Sequence, residues 1–170
     1  MNLDHVFKKT KTALKKSEST TTVPDGLLCR CSRCKKPILV QEVRDAYYIC
    51  PKCGGYFKVR AYERIRRVAD EGTFQESDRE LVGENPLGFE GYEEKLAAER
   101  LKTRMKEAIV TGTGSIDGIP AALGVMDSRF MMASMGWAVG EKLTRLIEKA
   151  TTENLPLILF TCSGGARMQE

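Results

Sequence analysis

Histidine and tryptophan are scarce in this sequence, with one of each among its 170 residues. The histidine, His5, lies in a polar stretch near the N-terminus, where it is poorly placed to serve as the base of a Ser-His or Cys-His site. Long apolar runs are lacking too, and no stretch approaches the ~20 residues that a membrane-spanning helix needs. These scarcities argue against a self-contained triad enzyme and predict a cytoplasmic protein without membrane contact.

Charge is abundant but unevenly distributed. Residues 1–67 contain 16 Lys or Arg against 6 Asp or Glu, whereas residues 68–170 contain 11 against 17. A basic first third suits phosphate-bearing partners, either nucleic acid or a nucleotide-tailed cofactor, although a solvated basic face is also common. Composition and pattern predict four parts: a flexible basic arm (1–26), a zinc ribbon (27–58), a helical linker region (59–107) and the start of an α/β domain (108–170).

Four of the six cysteines form two Cys-x2-Cys pairs separated by 15 residues, which is the spacing of a tetrahedral four-cysteine zinc site. The predicted ligands are Cys31, Cys34, Cys50 and Cys53. Disulfides or buried free thiols are the alternatives, and a reducing compartment disfavours the first of these. Cys29 can replace Cys31 only through a poorer Cys-x4-Cys loop, so it is interpreted as a bystander. Because a structural zinc does no chemistry, this site indicates fold and not function.

The remaining elements are predicted from hydrophobic periodicity. Short strands are expected at 38–43 and 46–49, and helices at 61–71, 92–105 and 139–151. Asp117-Gly118 is a hairpin turn between strands 108–116 and 119–126. A solidly apolar strand, 155–160, is expected to be buried on both faces. The order strand, strand, helix, strand is a ββα unit followed by the start of another, and we expect missing residues or a partner to complete the core.

Ser163-Gly164-Gly165 follows the last strand, where a helix is expected to begin. Free backbone N–H groups at such a place can bind an oxyanion or a phosphate, but the same residues are compatible with a simple tight turn. Gly112-x-Gly114 lacks the third glycine of a dinucleotide fingerprint, and there is no Walker A motif. Gly136-x3-Gly140 is interpreted as a close-packing motif, and Cys162 as a small packed residue rather than a nucleophile.

Five features of the chain, taken together, resemble the β subunits of bacterial acetyl-CoA carboxylase carboxyltransferases, from about Gly26 to Glu170. They are the four-cysteine ribbon, Asn85-Pro-Leu-x-Phe, Met126-Asp-Ser-Arg-Phe-Met, Ser134-Met-Gly-x-x-x-Gly-Glu-Lys and Leu159-Phe-x-x-Ser-Gly-Gly-Ala-Arg-Met-Gln-Glu. The chain departs from the family pattern at Met132-Ala133 and Trp137, where small residues are usual. Family β subunits extend further on the C-terminal side, so the chain resembles an N-terminal portion.

The resemblance implies a crotonase-like ββα spiral, here incomplete, preceded by the zinc ribbon. It implies transfer of a carboxyl group from carboxybiotin to acetyl-CoA, giving malonyl-CoA for fatty acid synthesis, with a structural Zn²⁺. The implied partners are an α subunit, in a heterotetramer of two α and two β, a biotin carboxyl carrier protein, and the ATP-dependent biotin carboxylase. The active site is expected between β and α, so that the isolated chain is expected to be inactive.

By resemblance, Gly164 and Gly165 form one of two oxyanion holes, facing either the biotin ureido oxygen or the thioester oxygen, and the α subunit supplies the other. Backbone N–H donors need no acidic side chain, so the scarcity of histidine is no obstacle. The alternative function is that of a zinc-ribbon nucleic-acid-binding protein, and a basic ribbon on an enzyme can also bind RNA or DNA as a secondary activity. The candidate contacts for that activity are Arg30, Arg33, Lys35, Lys36, Arg44, Lys52, Lys58 and Arg60.

Overall fold

A computed structural model describes residues 26–170, which form two compact units: the first ends at Gly55 and the second is Tyr56–Glu170. The predicted basic arm, apart from Gly26, and His5 within it lie outside the described residues. Among residues 26–170, no helix has the length and apolar character needed to cross a membrane.

In the first unit, β1 (Leu28–Arg30) pairs antiparallel with β2 (Pro37–Leu39), and a short helix α1 (Val40–Asp45) follows directly. The predicted strand 38–43 is therefore wrong beyond Leu39. The predicted strand 46–49 is also wrong, because residues 46–48 are turns and only Ile49 forms an isolated β-bridge. Few apolar side chains are buried here, chiefly Ile38 and Val43. So small an apolar core cannot by itself offset the entropy of ordering the chain.

The second unit is a four-stranded sheet with the order β3-β4-β5-β6. The strands are β3 (Gln75–Ser77), β4 (Ile109–Ile116), β5 (Ile119–Met126) and β6 (Leu157–Phe160), and the helices are α2 (Ala61–Val68), α3 (Tyr92–Thr103) and α4 (Trp137–Thr152). The first three strands are antiparallel, and β5 pairs parallel with β6 through the crossover helix α4. The predicted strand-strand-helix-strand order is confirmed, whereas β3, which is polar and only three residues long, was not predicted.

The β4–β5 hairpin has the predicted turn. Asp117 and Gly118 both have positive φ, +50° and +78°, as a two-residue turn of type I′ requires. The turn is anchored from outside, because the carboxylate of Asp70 accepts hydrogen bonds from the N–H groups of both residues, at 3.0 and 2.8 Å. All eight residues of each strand are in register, from Ile109 opposite Met126 to Ile116 opposite Ile119.

Helix α4 packs on β4 and β5, with Val139, Leu146 and Ala150 buried as predicted. Ile147, which was predicted to face inward, is 44% exposed, and Lys142 is buried instead. The periodicity of a helix gives the direction of its apolar face only to within about one residue position. Lys142 can occupy the inner face because acidic residues near it attract its positive charge.

The last strand, β6, lies at the edge of the sheet, with Leu157 and Leu159 more than a third exposed. The prediction that this strand is buried on both faces is therefore wrong for the described chain. The apolar residues of β6 are nevertheless half-buried beside β5. Because the two strands are parallel, Thr161 and the glycines that follow lie at the carboxyl ends of both.

The interpretation of Gly140 as a close-packing residue is also wrong, because a Cβ built there meets no atom within 4 Å. A glycine inside an exposed stretch of helix costs stability through the entropy of the unfolded chain. We therefore expect Gly140→Ala to raise the free energy of unfolding by about 0.5–1 kcal/mol. Urea denaturation followed by circular dichroism measures this change.

Gly112→Ala is the matched control. A Cβ at Gly112 would lie 2.2 Å from the carbonyl oxygen of Gln75 and 2.7 Å from the ring of Phe74, so β3 would have to move. This variant should be destabilised by about 1–3 kcal/mol through overpacking. Equal effects of the two alanines would contradict the different surroundings that the structure gives the two glycines.

Candidate functional site

The four predicted metal ligands come together in the first unit. The Sγ atoms of Cys31, Cys34, Cys50 and Cys53 all lie within 4.8 Å of one another. Cys31 Sγ is 3.7 Å from Cys53 Sγ, and Cys34 Sγ is 3.9 Å from Cys50 Sγ. A tetrahedron with Zn–S bonds of about 2.3 Å has sulfur–sulfur edges of about 3.8 Å. The thiols are thus too far apart for disulfides and have the spacing of zinc ligands.

The backbone of this cluster favours thiolates. Hydrogen bonds from the backbone N–H groups of Cys34 and Arg33 outweigh burial and lower the pKa of Cys31 to about 6. Although the N–H of Gly55 lowers the pKa of Cys53, burial and the three neighbouring thiols raise it to about 11. Four thiols this close cannot all be ionised unless a cation compensates their charge.

Cys29 is not part of the cluster. Its thiol donates to the carbonyl oxygen of Ile38 across the β1–β2 pair, at 3.6 Å, and burial raises its pKa. The interpretation of Cys29 as a bystander agrees with this geometry. Cys162 is exposed and not packed in the core, which contradicts its predicted role as a small packed residue.

Gly164 and Gly165 lie in the loop that follows β6. The N–H of Gly164 donates to the carbonyl oxygen of Met132 at 2.9 Å, and the N–H of Gly165 donates to the hydroxyl of Ser163 at 3.0 Å. Gly165 has a φ of +102°, which side chains rarely tolerate. No helix follows before Glu170, although one was expected to start at this point. The predicted oxyanion role of these glycines stays a prediction.

A strained turn lies against the glycine loop. Met131, Met132 and Ala133 form a 3₁₀ turn in which all three residues have positive φ, between +44° and +58°. Each such residue costs of order 1 kcal/mol or more, so the surroundings must hold the turn in place. Part of the restraint comes from Gly164, whose N–H caps the Met132 carbonyl and whose missing side chain lets Met132 approach closely.

Beyond this turn, the segment 134–137 runs alongside the segment 164–170. Met135 and Ala166 form a parallel β-bridge. The N–H of Met135 donates to the carbonyl oxygen of Gly165 at 2.8 Å, and the N–H of Arg167 donates to the carbonyl oxygen of Met135 at 2.9 Å. The two segments are thus joined on both sides of the glycine pair, which fixes the path of the loop relative to the start of α4.

A buried ion pair reinforces this junction. The guanidinium of Arg167 makes a bidentate contact with Glu107, at 2.6 and 3.2 Å, and both side chains are at most 1% exposed. The same guanidinium donates to the carbonyl oxygen of Ser134 at 2.8 Å and to Glu170 at 2.9 Å. The bonds to Glu107 outweigh burial and raise the pKa of Arg167, so it stays charged.

The two carboxylates of this cluster have further donors. Glu107 accepts from the N–H groups of Gly83 and Ala108, at 3.2 and 2.8 Å, while Glu170 accepts from the hydroxyl of Tyr92 and from the N–H of Trp137, which begins α4. Burial, followed by the bond to Glu170, raises the pKa of Tyr92 to about 12, so it remains a donor. Sequence reasoning did not assign roles to these residues, and Glu107 carries no motif that could have revealed its part.

A second ion pair closes the end of β5. The carboxylate of Asp127, which is nearly inaccessible, contacts the guanidinium of Arg129 at 2.7 Å and accepts the N–H of Ala61 at the start of α2, at 2.9 Å. These bonds outweigh the opposing effect of burial and lower the pKa of Asp127. Both residues belong to the Met126-Asp-Ser-Arg-Phe-Met motif, whose residues connect α2 to the sheet.

Comparison with known proteins places these features in a family. Residues 58–170 match the model of the carboxyl transferase domain. The chain is 52% identical, over 165 residues, to the acetyl-coenzyme A carboxylase carboxyl transferase subunit beta of Carboxydothermus hydrogenoformans, covering 96% of this chain and 59% of that protein. It is 53% identical over 148 residues to the subunits beta/alpha protein of Natranaerobius thermophilus, covering 87% of this chain and 24% of the relative. The chain thus spans less than two thirds of the curated relatives it matches.

Among solved structures, transcarboxylase 12S with methylmalonyl-coenzyme A and methylmalonic acid bound superposes with a TM-score of 0.56 at 28% identity, covering 66% of this chain and 20% of that one. A second structure of transcarboxylase 12S, with hydrolysed methylmalonyl-coenzyme A bound, superposes with a TM-score of 0.54 at 26% identity, covering 66% of this chain and 21% of that one. These neighbours support the predicted crotonase-like fold. Because the family model matches residues 58–170, about two thirds of the chain, the chain belongs to the carboxyl transferase domain family.

Proposed function

We propose that this chain acts as part of the β subunit of an acetyl-CoA carboxylase carboxyltransferase in the cytoplasm. The reaction forms a bond between the acetyl methyl carbon and the carboxyl carbon of carboxybiotin, breaks the N–C bond of carboxybiotin, and transfers the methyl proton to biotin. The names of the relatives support this assignment. The observation that carries it is the exposed glycine loop at the carboxyl end of β6, rigidly joined to the start of α4.

The part we assign to the chain's own residues is to stabilise negative charge. Deprotonating the acetyl methyl group places charge on the thioester oxygen, and loss of the carboxyl group places charge on the ureido oxygen. The N–H of Gly165 can serve either oxygen, because its partner in this structure is a hydroxyl that can rotate away. The N–H of Gly164 is held by Met132, so we assign to Gly164 the role of keeping the loop close to the turn.

We propose that the remaining functions are divided among partner chains. An α subunit would supply the donors of the second oxyanion hole, a biotin carboxyl carrier protein would deliver carboxybiotin, and a biotin carboxylase would carboxylate the biotin again. The beta/alpha name of the Natranaerobius relative supports the association of the two halves. On this proposal the isolated chain forms no malonyl-CoA.

We propose further that the four-cysteine cluster holds one structural Zn²⁺ and forms a zinc ribbon. The sulfur–sulfur distances and the need to compensate several thiolates support this ligand set. Reduced thiols also fit the cytoplasm. Because the first unit buries so few apolar side chains, its metal-binding energy would be its folding energy.

Chelation is therefore expected to release one zinc per chain and to unfold the first unit while the second unit stays folded. Hydrogen exchange of residues 27–55 and of the β4–β5 hairpin, measured before and after chelation, distinguishes the two units. Cys50→Ala should abolish stoichiometric binding, whereas the control Cys29→Ala should keep it. Full zinc content in Cys50→Ala, or equal loss in both variants, would contradict the proposed ligand set.

For the oxyanion role, Gly165→Val in the complete carboxyltransferase should lower kcat by about 10² to 10³ and change KM far less. The valine disfavours the positive φ that aims the N–H, and an oxyanion donor bonds most strongly to charge present in the transition state. Turnover is measured per correctly assembled enzyme molecule, with zinc content as a check on folding.

Gly118→Val is the matched control for backbone strain. Gly118 also has positive φ and open space around it, but it lies at the opposite end of β5. It should lose stability without losing kcat. A near-normal kcat for assembled Gly165→Val would remove this residue from the catalytic site and leave it only a turn-forming role.

A second activity, RNA or DNA binding by the ribbon, is favoured by the surface of the first unit. Tyr47 is 77% exposed, and so are six of the predicted basic contacts of this unit: Arg30, Arg33, Lys35, Lys36, Arg44 and Lys52. We expect single-stranded RNA to bind with an affinity that falls as salt rises.

Charge reversal separates this contact from general attraction to a basic protein. Lys35→Glu together with Lys36→Glu should weaken RNA binding and flatten its salt dependence, with Lys102→Glu on α3 as the control. Fluorescence anisotropy measures both. Unchanged binding in the double variant would exclude this surface as the contact.

A further inference from the structure

The strained turn from Met131 to Ala133 is flanked by two residues that both contact the guanidinium of Arg167. The guanidinium lies 5.6 Å from the ring centre of Phe130, which precedes the turn. It also donates to the carbonyl oxygen of Ser134, which follows the turn, at 2.8 Å. Phe130 is fully buried, so the surrounding core holds its ring in place. One side chain therefore holds the turn at both ends.

The peptide unit between Gly164 and Gly165 is held by the same segment. The N–H of Gly164 donates to the carbonyl oxygen of Met132 at 2.9 Å. The carbonyl oxygen of Gly165 accepts the N–H of Met135 at 2.8 Å. This peptide unit carries the N–H of Gly165, which is the proposed oxyanion donor. Because both restraints come from residues 132–135, the direction of that N–H depends on the path of the turn.

Arg167 can contact both ends of the turn only while its guanidinium keeps one orientation. Glu107 supplies that orientation, because two contacts at 2.6 and 3.2 Å fix the plane of the fork. Glu170 and the hydroxyl of Tyr92 accept from the guanidinium as well, at 2.9 and 3.3 Å. A lysine could not replace this arrangement, because an ammonium is a point charge without a planar fork.

Gly83 leaves the room that these carboxylates occupy. A Cβ built there would lie 2.8 Å from an oxygen of Glu107, 2.8 Å from an oxygen of Glu170 and 3.3 Å from the guanidinium of Arg167. Because atoms in a close-packed interior cannot approach so closely, the carboxylates would have to move. Substitution of this glycine thus displaces the ion pair without removing a charge.

We propose that Arg167, held by Glu107, is a positioning residue for the carboxyl-transfer reaction. It holds the turn 131–133 at both ends, and the turn aims the N–H of Gly165 at the oxygen on which negative charge develops. The inference rests on the proposed carboxyltransferase function and assigns to a buried ion pair the accuracy of its oxyanion donor. A misplacement of about 1 Å at a reacting centre can lower the rate by about 10²-fold.

Arg167→Lys tests this role, because it keeps the buried positive charge and removes the planar fork. In the complete carboxyltransferase, kcat should fall by about 10- to 100-fold while KM for acetyl-CoA changes far less, because the donor acts on charge present in the transition state. Arg145→Lys on α4 is the matched control, since Arg145 also joins two carboxylates, those of Glu141 and Asp78. Its kcat should stay near the wild-type value.

Hydrogen exchange provides a readout that does not require turnover. Peptides covering residues 130–137 and 161–170 should exchange faster in Arg167→Lys, whereas exchange of the β4–β5 hairpin should not change. Gly83→Ala is a second variant in case the lysine prevents folding, and it should give the same regional pattern with a smaller loss of kcat. Gly140→Ala, which has open space around it, is its control and should show neither effect.

Three results would overturn the proposal. They are equal losses of kcat in Arg167→Lys and Arg145→Lys, faster exchange in the hairpin as well as in the two peptides, which would indicate a role in stability alone, or a raised KM with unchanged kcat. Failure of the proposed function would look different. In that case exchange would still be faster only in the two peptides, but the complete wild-type enzyme would form no malonyl-CoA.

Discussion

The buried contact between Arg167 and Glu107 is the interaction on which the arrangement of the glycine loop depends. Residues 60 positions apart meet in a bidentate ion pair that water scarcely reaches. Removing one partner of such a pair leaves an uncompensated charge and costs about 3–5 kcal/mol. Because the other donors of Arg167 bond to Ser134 and Glu170, and Glu170 in turn accepts the N–H of Trp137, the same contact connects β4, the glycine loop and α4.

This rigid junction explains how the chain can hold an unfavourable backbone beside its candidate site. Three consecutive residues with positive φ, Met131 to Ala133, persist because Gly164 and the bridge at Met135 leave the turn no alternative path. A preorganised site needs such restraint, since a donor that must reorient during the reaction loses much of its value. Strain in the turn and the buried charges around Arg167 are therefore two parts of one arrangement.

The carboxyl ends of β5 and β6 bring the glycine loop close to a cavity of about 240 Å³ lined by Lys58, Arg64 and Phe160. The glycine loop offers backbone donors but little charge, while the neighbouring cavity offers cations and aromatic surface. A tetrahedral four-cysteine metal site leaves no open position for a substrate, so the proposed function gives the cysteine cluster no part in the reaction.

Features that depend on near neighbours along the chain could be predicted from the amino-acid sequence. The two Cys-x2-Cys loops, the Asp117-Gly118 hairpin and most of the three longer helices follow from spacings of two to seven residues, and residues 108–126 were predicted almost to the position. Only the tertiary structure showed that Lys142 faces inward, that the apolar strand β6 is an edge strand, and that the N–H of Gly164 is held by Met132. The ion pair between Glu107 and Arg167 was likewise visible only in the tertiary structure. The physical reason is that periodicity reports which face of an element is apolar, whereas the partner of a buried charge is set by how distant segments pack.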